Sequence, residues 1–201
     1  MTLLLASFII FSTMSGIEHF NILGPIYDKI FGRREDQKIL ALAEMEQGTS
    51  LLDVGGGTGR VTHLFDRLSD KVIIADSALN MLKEAKKKNL HSVLAYSECL
   101  PFDEGAFDRI IMVDALHHVV NHTQTINELW RALTSGGRII IEEPDYNHWF
   151  VKIIAFMEKI FLMRSHFLYP REIADLFGYS DVDQISNHFE GGIVWIIINK
   201  K

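Results

Sequence analysis

The stretch LLDVGGGTGR, residues 51–60, closes an apolar run with glycines at 55, 56, 57 and 59. Residues without Cβ let a ligand lie against bare backbone and adopt positive φ without steric cost. Such turns cradle phosphates, seat dinucleotides or receive another nucleoside. A dinucleotide fingerprint needs G-x-G-x-x-G, but Arg60 stands where the third glycine would fall, so the pattern is G-x-G-x-G. No Gly-Lys-Ser/Thr follows, which removes the phosphate-loop reading. Asp76 lies 21 residues beyond Gly55. A carboxylate there accepts hydrogen bonds from both hydroxyls of a ribose. Together the two features specify a nucleoside and do not require a pyrophosphate.

Two further clusters could do chemistry. LHHVVNH (116–122) offers His117, His118 and His122. They read as a proton acceptor near neutrality, as metal ligands at the i, i+4 pair His118/His122, or as packing and capping residues. KEAKKK (83–88) reads as the solvated basic end of a helix, favoured by the helix dipole, or as a patch for an anionic substrate. No catalytic triad is visible.

These residues need a frame. SLLDV (50–54), KVIIAD (71–76), SVLAY (92–96), DRIIMV (108–113) and GRIIIEE (137–143) predict buried strands. Their near-continuous apolar content fits a parallel sheet covered on both faces. Helices are predicted over about 59–68, 78–88 and 122–133, and the alternation gives a doubly wound α/β fold. VDQISNHF (182–189), Glu190-Gly191-Gly192 and IVWIII (193–198) predict a C-terminal antiparallel hairpin, for seven strands in all.

With 201 residues the chain suits one domain with a sizeable core. A net charge of −6 argues against general affinity for nucleic acid or anionic lipid. A single cysteine, Cys99, excludes an internal disulfide framework and makes a reducing, cytoplasmic setting the default expectation. LLLASFIIF (3–11) is shorter than the ~20 residues of a membrane span and lacks a basic flank. It reads as a weakly structured extension, upstream of an alternative start at Met14, or as a surface flap.

In these motifs the chain resembles class I S-adenosylmethionine-dependent methyltransferases, of the small-molecule type that includes the ubiquinone/menaquinone C-methyltransferases. The resemblance covers roughly residues 37–143. It rests on LLDVGGGTGR, IIADSALNML (73–82), SECLPFDEGAFDRIIMVDALHHV (97–119) and RALTSGGRIIIEEP (131–144). It implies a Rossmann-like, mostly parallel seven-stranded sheet, S-adenosyl-L-methionine as cofactor, and methyl transfer to a small molecule. Carried over by position, Gly55 and Gly57 would pass beneath the methionine and ribose. Asp53 would hold the ammonium side, and Asp76 the ribose hydroxyls. Ser77 and Met81 would border the adenine, Ser97 and Glu98 would meet its edge, and Val113 would approach the methionine. Relatives usually carry Asp just before the position of Ser97. This chain has Tyr96, leaving the adenine edge to backbone groups or to stacking.

Methyl transfer requires alignment and exclusion of water more than acid–base catalysis. His117 and His118 are the candidates for a base beside the methyl, and the resemblance calls for no metal. YNHWFVKIIAFMEKIFLMRSHFLYP (146–170) follows the fifth strand, where relatives insert substrate-covering elements. Only Lys152 is polar between Trp149 and Met157. That apolar surplus must meet core, a hydrophobic or aromatic acceptor, a second subunit as in a homodimer, a membrane surface or the N-terminal apolar segment. FNILGPIYDKIFG (20–32) resembles a lid with Tyr27 over the cofactor, followed by Arg33 and Arg34. The expected organisation is an extension and lid over 1–36 and one domain over 37–201. A nicotinamide-dinucleotide oxidoreductase and a non-catalytic scaffold of the same fold stand as alternatives. Glycine spacing and the hairpin disfavour the first; Tyr96 and the lack of an obligatory catalytic residue leave room for the second.

Overall fold

The structure is a computed structural model, and it describes residues 37–147, 152 and 166–201. The predicted lid with Tyr27, the apolar segment 3–11 and Trp149–Met157 apart from Lys152 lie outside the described residues. Seven strands form one sheet: β1 (Leu51–Val54), β2 (Val72–Asp76), β3 (His91–Leu94), β4 (Phe107–Val113), β5 (Leu133–Pro144), β6 (Val182–Glu190) and β7 (Ile193–Lys200). Their spatial order is β3-β2-β1-β4-β5-β7-β6. The first five are parallel. β7 runs antiparallel between β5 and β6. The expected doubly wound sheet with its C-terminal hairpin is thus the observed one.

Alternate residues of each strand enter opposite layers, as a period of two requires. Leu52, Val54, Ile110, Met112, Ile139 and Ile141 pack under α3 (His122–Ala132) and α4 (Pro170–Asp175) through Ile126, Leu129, Trp130 and Ile173. Leu51, Ile111, Ile140 and Trp195 pack on the other side with Ile39 and Ala43 of α1 (Gln37–Ala43). Ile74 meets Leu82 and Ala85 of α2 (Leu79–Lys87). Both faces are covered, which is why the central strands read as unbroken apolar runs.

Two elements depart from expectation. β3, read with the other strands as buried, lies at the edge of the sheet with His91, Ser92 and Leu94 exposed. The helix predicted over 59–68 is a run of turns around a short 3₁₀ segment, Thr62–Leu64. Its backbone bonds mix i→i−3 (Leu64 N to Val61 O, 2.9 Å) with i→i−4 (His63 N to Gly59 O, 3.2 Å). Val61 and Thr62 are β-branched and weak helix formers. Thr62 also turns inward and donates its hydroxyl to Asp53 Oδ2 at 2.5 Å. The basic run 83–88 partly serves as a helix end: Lys87 pairs with Glu84, while Lys88 Nζ donates to Thr58 O at 2.8 Å and ties α2 to the glycine loop.

Candidate functional site

A cavity of ≈ 390 Å³ opens at the carboxyl ends of β1, β2 and β4. That is where an open α/β sheet binds ligands, because the loops diverge there. It is lined by Asp53, Gly55, Gly57, Asp76, Ser77, Met81, Ser97, Glu98, Val113 and His118 among the residues singled out in the sequence. His117 is not on that wall, and Tyr27 lies outside the described residues.

The floor is built by two close approaches. A Cβ on Gly55 would stand 2.6 Å from Ala115 Cβ, so glycine lets the loop after β1 touch the loop after β4. Gly57 has φ +55°, and a Cβ there would face Asp76 Oδ2 at 3.8 Å, in the cavity floor rather than in the core. Gly57 N donates to Asp76 Oδ2 (2.9 Å) and Ala78 N donates to Oδ1 (2.7 Å). Each carboxylate oxygen keeps a lone pair, so Asp76 can still accept from a vicinal diol. Burial pushes its carboxyl above the ordinary value, against the pull of those two amides.

Asp53 is fully buried beneath the glycine loop. Its Oδ2 accepts from Thr62, while its Oδ1 has no hydrogen-bond partner among the described residues. Burial, opposed by Thr62 and assisted by the charge of Asp76, raises its pKa to about 7. A buried acceptor left without a donor costs free energy, and a cationic group entering beside it would repay that cost. Uncommitted Asp53 Oδ1, an Asp76 with a lone pair to spare on each oxygen and the Cβ-free floor fit the ammonium, ribose and backbone-facing parts of S-adenosylmethionine.

On the wall after β3, Ser97 Oγ lies 3.0 Å from Thr125 Oγ1. Glu98 Oε1 accepts from Val120 N and Asn121 N, both at 3.2 Å. The Glu98 carboxylate therefore braces the loop leading into α3 while lining the cavity. Tyr96 stands at the rim with 60% of its surface exposed.

The histidines divide. His117 is buried, and its Nδ1 meets Glu143 Oε2 at 2.5 Å. Its ring stacks on Phe167 (4.6 Å, 10°), which in turn stacks near Tyr146. Its carbonyl accepts from His166 N at 2.7 Å. His118 faces the cavity, and burial together with the neighbouring His117 pushes its pKa down to about 3. It is a neutral hydrogen-bonding wall at pH 7 and a weak base. His118 ends a 3₁₀ turn (Leu116–His118), whereas His122 begins α3, so the two do not share a helical face. Among the described residues no group of three or more His, Cys, Asp or Glu is placed to hold a metal.

Glu143 was not singled out in the sequence. Its Oε1 accepts from Ala115 N (3.1 Å) and Leu116 N (2.7 Å), so one buried carboxylate on β5 shapes the whole loop after β4. The readable signal was an acidic pair, Glu142-Glu143, inside an apolar strand, since a buried charge demands partners. Arg60 and Asp114 also line the cavity and were read only as spacing or passed over.

The methyltransferase-domain family matches residues 52–141. The ubiquinone/menaquinone biosynthesis C-methyltransferase UbiE of Hahella chejuensis is 36% identical over 107 residues, 48% of this chain and 43% of that protein. The chain thus spans less than half the length of the curated relatives it matches. Among solved structures, a SAM-dependent methyltransferase of Thermotoga maritima superposes with a TM-score of 0.69 at 21% identity, over 81% of this chain and 87% of that one. A second, from Aquifex aeolicus, gives 0.68 at 15% identity over 92% and 98%. These structures share the fold. No described helix is long and apolar enough to cross a membrane.

Proposed function

We propose that this chain, which belongs to the class I S-adenosylmethionine-dependent methyltransferases, transfers the cofactor's methyl group to a small hydrophobic or aromatic acceptor. The observation that carries the reading is the pairing of Asp76 with Gly57 N at 2.9 Å beside a buried Asp53 whose Oδ1 has no partner. Bound there, S-adenosylmethionine supplies an activated methyl electrophile.

The chain's own part is binding, alignment and exclusion of water. Asp76 would accept from the ribose hydroxyls. Asp53, ionised by the approach of an ammonium, would hold the amino-acid end, with Gly55 and Gly57 beneath the sulfur-bearing chain and Val113 beside it. Ser77, Met81, Ser97 and Glu98 would surround the base. His118, Val119, Val120 and His166 line the cavity beyond the end of β4 and would form the acceptor wall. The His117–Phe167–Tyr146 stack supports that wall from behind. We assign His117 a positioning role and His118 a hydrogen-bonding one. Carbon methylation of an aromatic ring is favoured over other acceptors by the name of the curated relatives, C-methyltransferases of ubiquinone/menaquinone biosynthesis.

Calorimetry with S-adenosylmethionine and with a nicotinamide dinucleotide tests the cofactor half. Micromolar binding of the first and none of the second is expected; millimolar or absent binding of the first overturns it. Turnover over a panel of phenols, hydroquinones and aliphatic amines, followed by mass spectrometry, tests the acceptor. Methylated phenols or hydroquinones support it, exclusive amine methylation corrects it, and tight cofactor binding without any product favours a scaffold.

A further inference from the structure

Arg60 stands where the glycine spacing departs from the dinucleotide pattern, and the functional reading above leaves it without a task. Its side chain lines the cavity and is 19% exposed. A guanidinium carries five donors. Among the described residues its one ion pair is Nη2 to Asp114 Oδ2 at 3.5 Å, longer than the 2.7–2.9 Å of a charge-assisted hydrogen bond. The donors of a mostly buried cation are thus nearly unspent.

Asp114, by contrast, is fixed. Its backbone is left-handed at φ +51°, its N–H donates to Glu142 O at 3.0 Å, and the next two amides are held by Glu143. Of the two partners, the long Arg60 side chain is the one free to turn.

The sheet order sets the direction. β1 lies between β2 and β4, so Asp53 stands between Asp76 on one flank and Asp114 on the other. Strands are spaced by roughly 4.8 Å. A ligand whose ribose sits on Asp76 extends its far end over β1 toward β4. There it meets one carboxylate with an uncommitted oxygen, Asp53 Oδ1, and one cation with spare donors. That combination suits a zwitterion, ammonium and carboxylate on one carbon.

We propose that Arg60 is the receptor for the carboxylate of the ligand's amino-acid end, and that Asp114 holds its place until the ligand arrives. The ligand carboxylate then takes the guanidinium in a two-point geometry that the pair with Asp114 does not achieve. Arg60 and Asp53 together would select a nucleoside bearing an amino acid from one that does not. The inference rests on the cofactor reading above.

The test compares two thioethers by calorimetry, S-adenosylhomocysteine and 5′-methylthioadenosine, which lacks the amino acid. Arg60→Ala is expected to weaken the first by at least about tenfold and the second by less than about twofold. Arg60→Lys keeps the charge without the fork and should fall between, so it carries the comparison if the alanine variant folds poorly. Asp114→Asn removes the competitor and should tighten S-adenosylhomocysteine severalfold without changing methylthioadenosine. Equal losses for both ligands, or no loss for either, overturn the assignment of Arg60. Wild-type protein that binds methylthioadenosine as tightly as S-adenosylhomocysteine also overturns it while leaving the nucleoside site standing. Wild-type protein that binds neither overturns the cofactor reading itself.

Discussion

The two walls of the cavity are built on different plans. The wall after β2 is local: Asp76 ends its strand, accepts from Ala78 two residues on, and reaches the glycine loop of the adjacent strand. The wall after β4 is assembled from afar. Glu143, on β5, holds Ala115, Leu116 and His117 from 26 to 28 residues away, and His166 closes on the carbonyl of His117. A local wall can be preserved by few residues. A wall assembled from afar depends on each long-range bond, and it is the wall that faces the proposed acceptor.

The sharpest way to break this contrast is Glu143→Ala. It strips one buried and one part-buried backbone donor and a buried imidazole of their acceptor, which should cost about 3–5 kcal/mol. Urea unfolding should show that loss, while Glu143→Gln, which keeps one acceptor oxygen, should lose less. A shift under about 1 kcal/mol for the alanine variant would mean that the loop after β4 holds itself. Asp76→Asn is the counterpart on the local wall. The sheet should survive, while affinity for S-adenosylhomocysteine falls by about 100-fold, because one carboxylate oxygen becomes an NH2 that can accept neither from the ribose nor from the backbone amide of Gly57 or Ala78 that it faces. A variant that binds as wild type would place the ribose elsewhere.

The same difference decides what could be read from the sequence. The strand positions, and the placement of Asp76 at the end of β2, follow from apolar runs, turn residues and one spacing, whereas the exposure of β3 at the sheet edge does not. The terminal hairpin was equally plain from Glu190-Gly191-Gly192 between two strand patterns. What failed was the helix at 59–68, where weak helix formers and an inward bond from Thr62 to Asp53, nine residues earlier at the end of β1, override the local pattern. The role of His117 was likewise hidden, because its partner on β5 is 26 residues away and nothing in LHHVVNH names it. Arg60 was legible only as a missing glycine; its pairing with Asp114 joins two loops brought together by the adjacency of β1 and β4.

Between the walls lies Asp53, and pH probes it. With its pKa raised to about 7 by burial, its neutral form predominates below neutrality. Its contribution to stability is therefore complete below about pH 4 and is lost as the pH rises through 7. An ammonium held beside it reverses the preference, so the bound state releases a proton. Affinity for S-adenosylmethionine should rise by up to about tenfold per pH unit from pH 5 to 7 and then level. Calorimetry at pH 6 in buffers of different ionisation enthalpy should detect the released proton. Asp53→Asn should bind more weakly and lose the pH dependence; retention of the slope would assign it to another group.

The smallest expected effect lies at Tyr96, the position where the resemblance leads one to expect an acid. Its ring is at the rim, and its backbone carbonyl already accepts from Cys99 N at 3.0 Å. A carboxylate there would face solvent on one side and the proposed adenine edge on the other. An exposed charged contact is worth less than about 1 kcal/mol, so Tyr96→Asp should tighten S-adenosylhomocysteine by no more than about fivefold. The informative control is S-inosylhomocysteine, which carries an oxygen in place of the adenine amino group. Tighter binding of the adenine ligand with unchanged or weaker binding of the inosine one places the amino group at residue 96. Equal gains for both would mean that removing the tyrosine ring merely opened the rim, and a loss for both would mean that the ring itself stacks on the base. Either result would show that this end of the local wall is read by shape and not by a hydrogen bond.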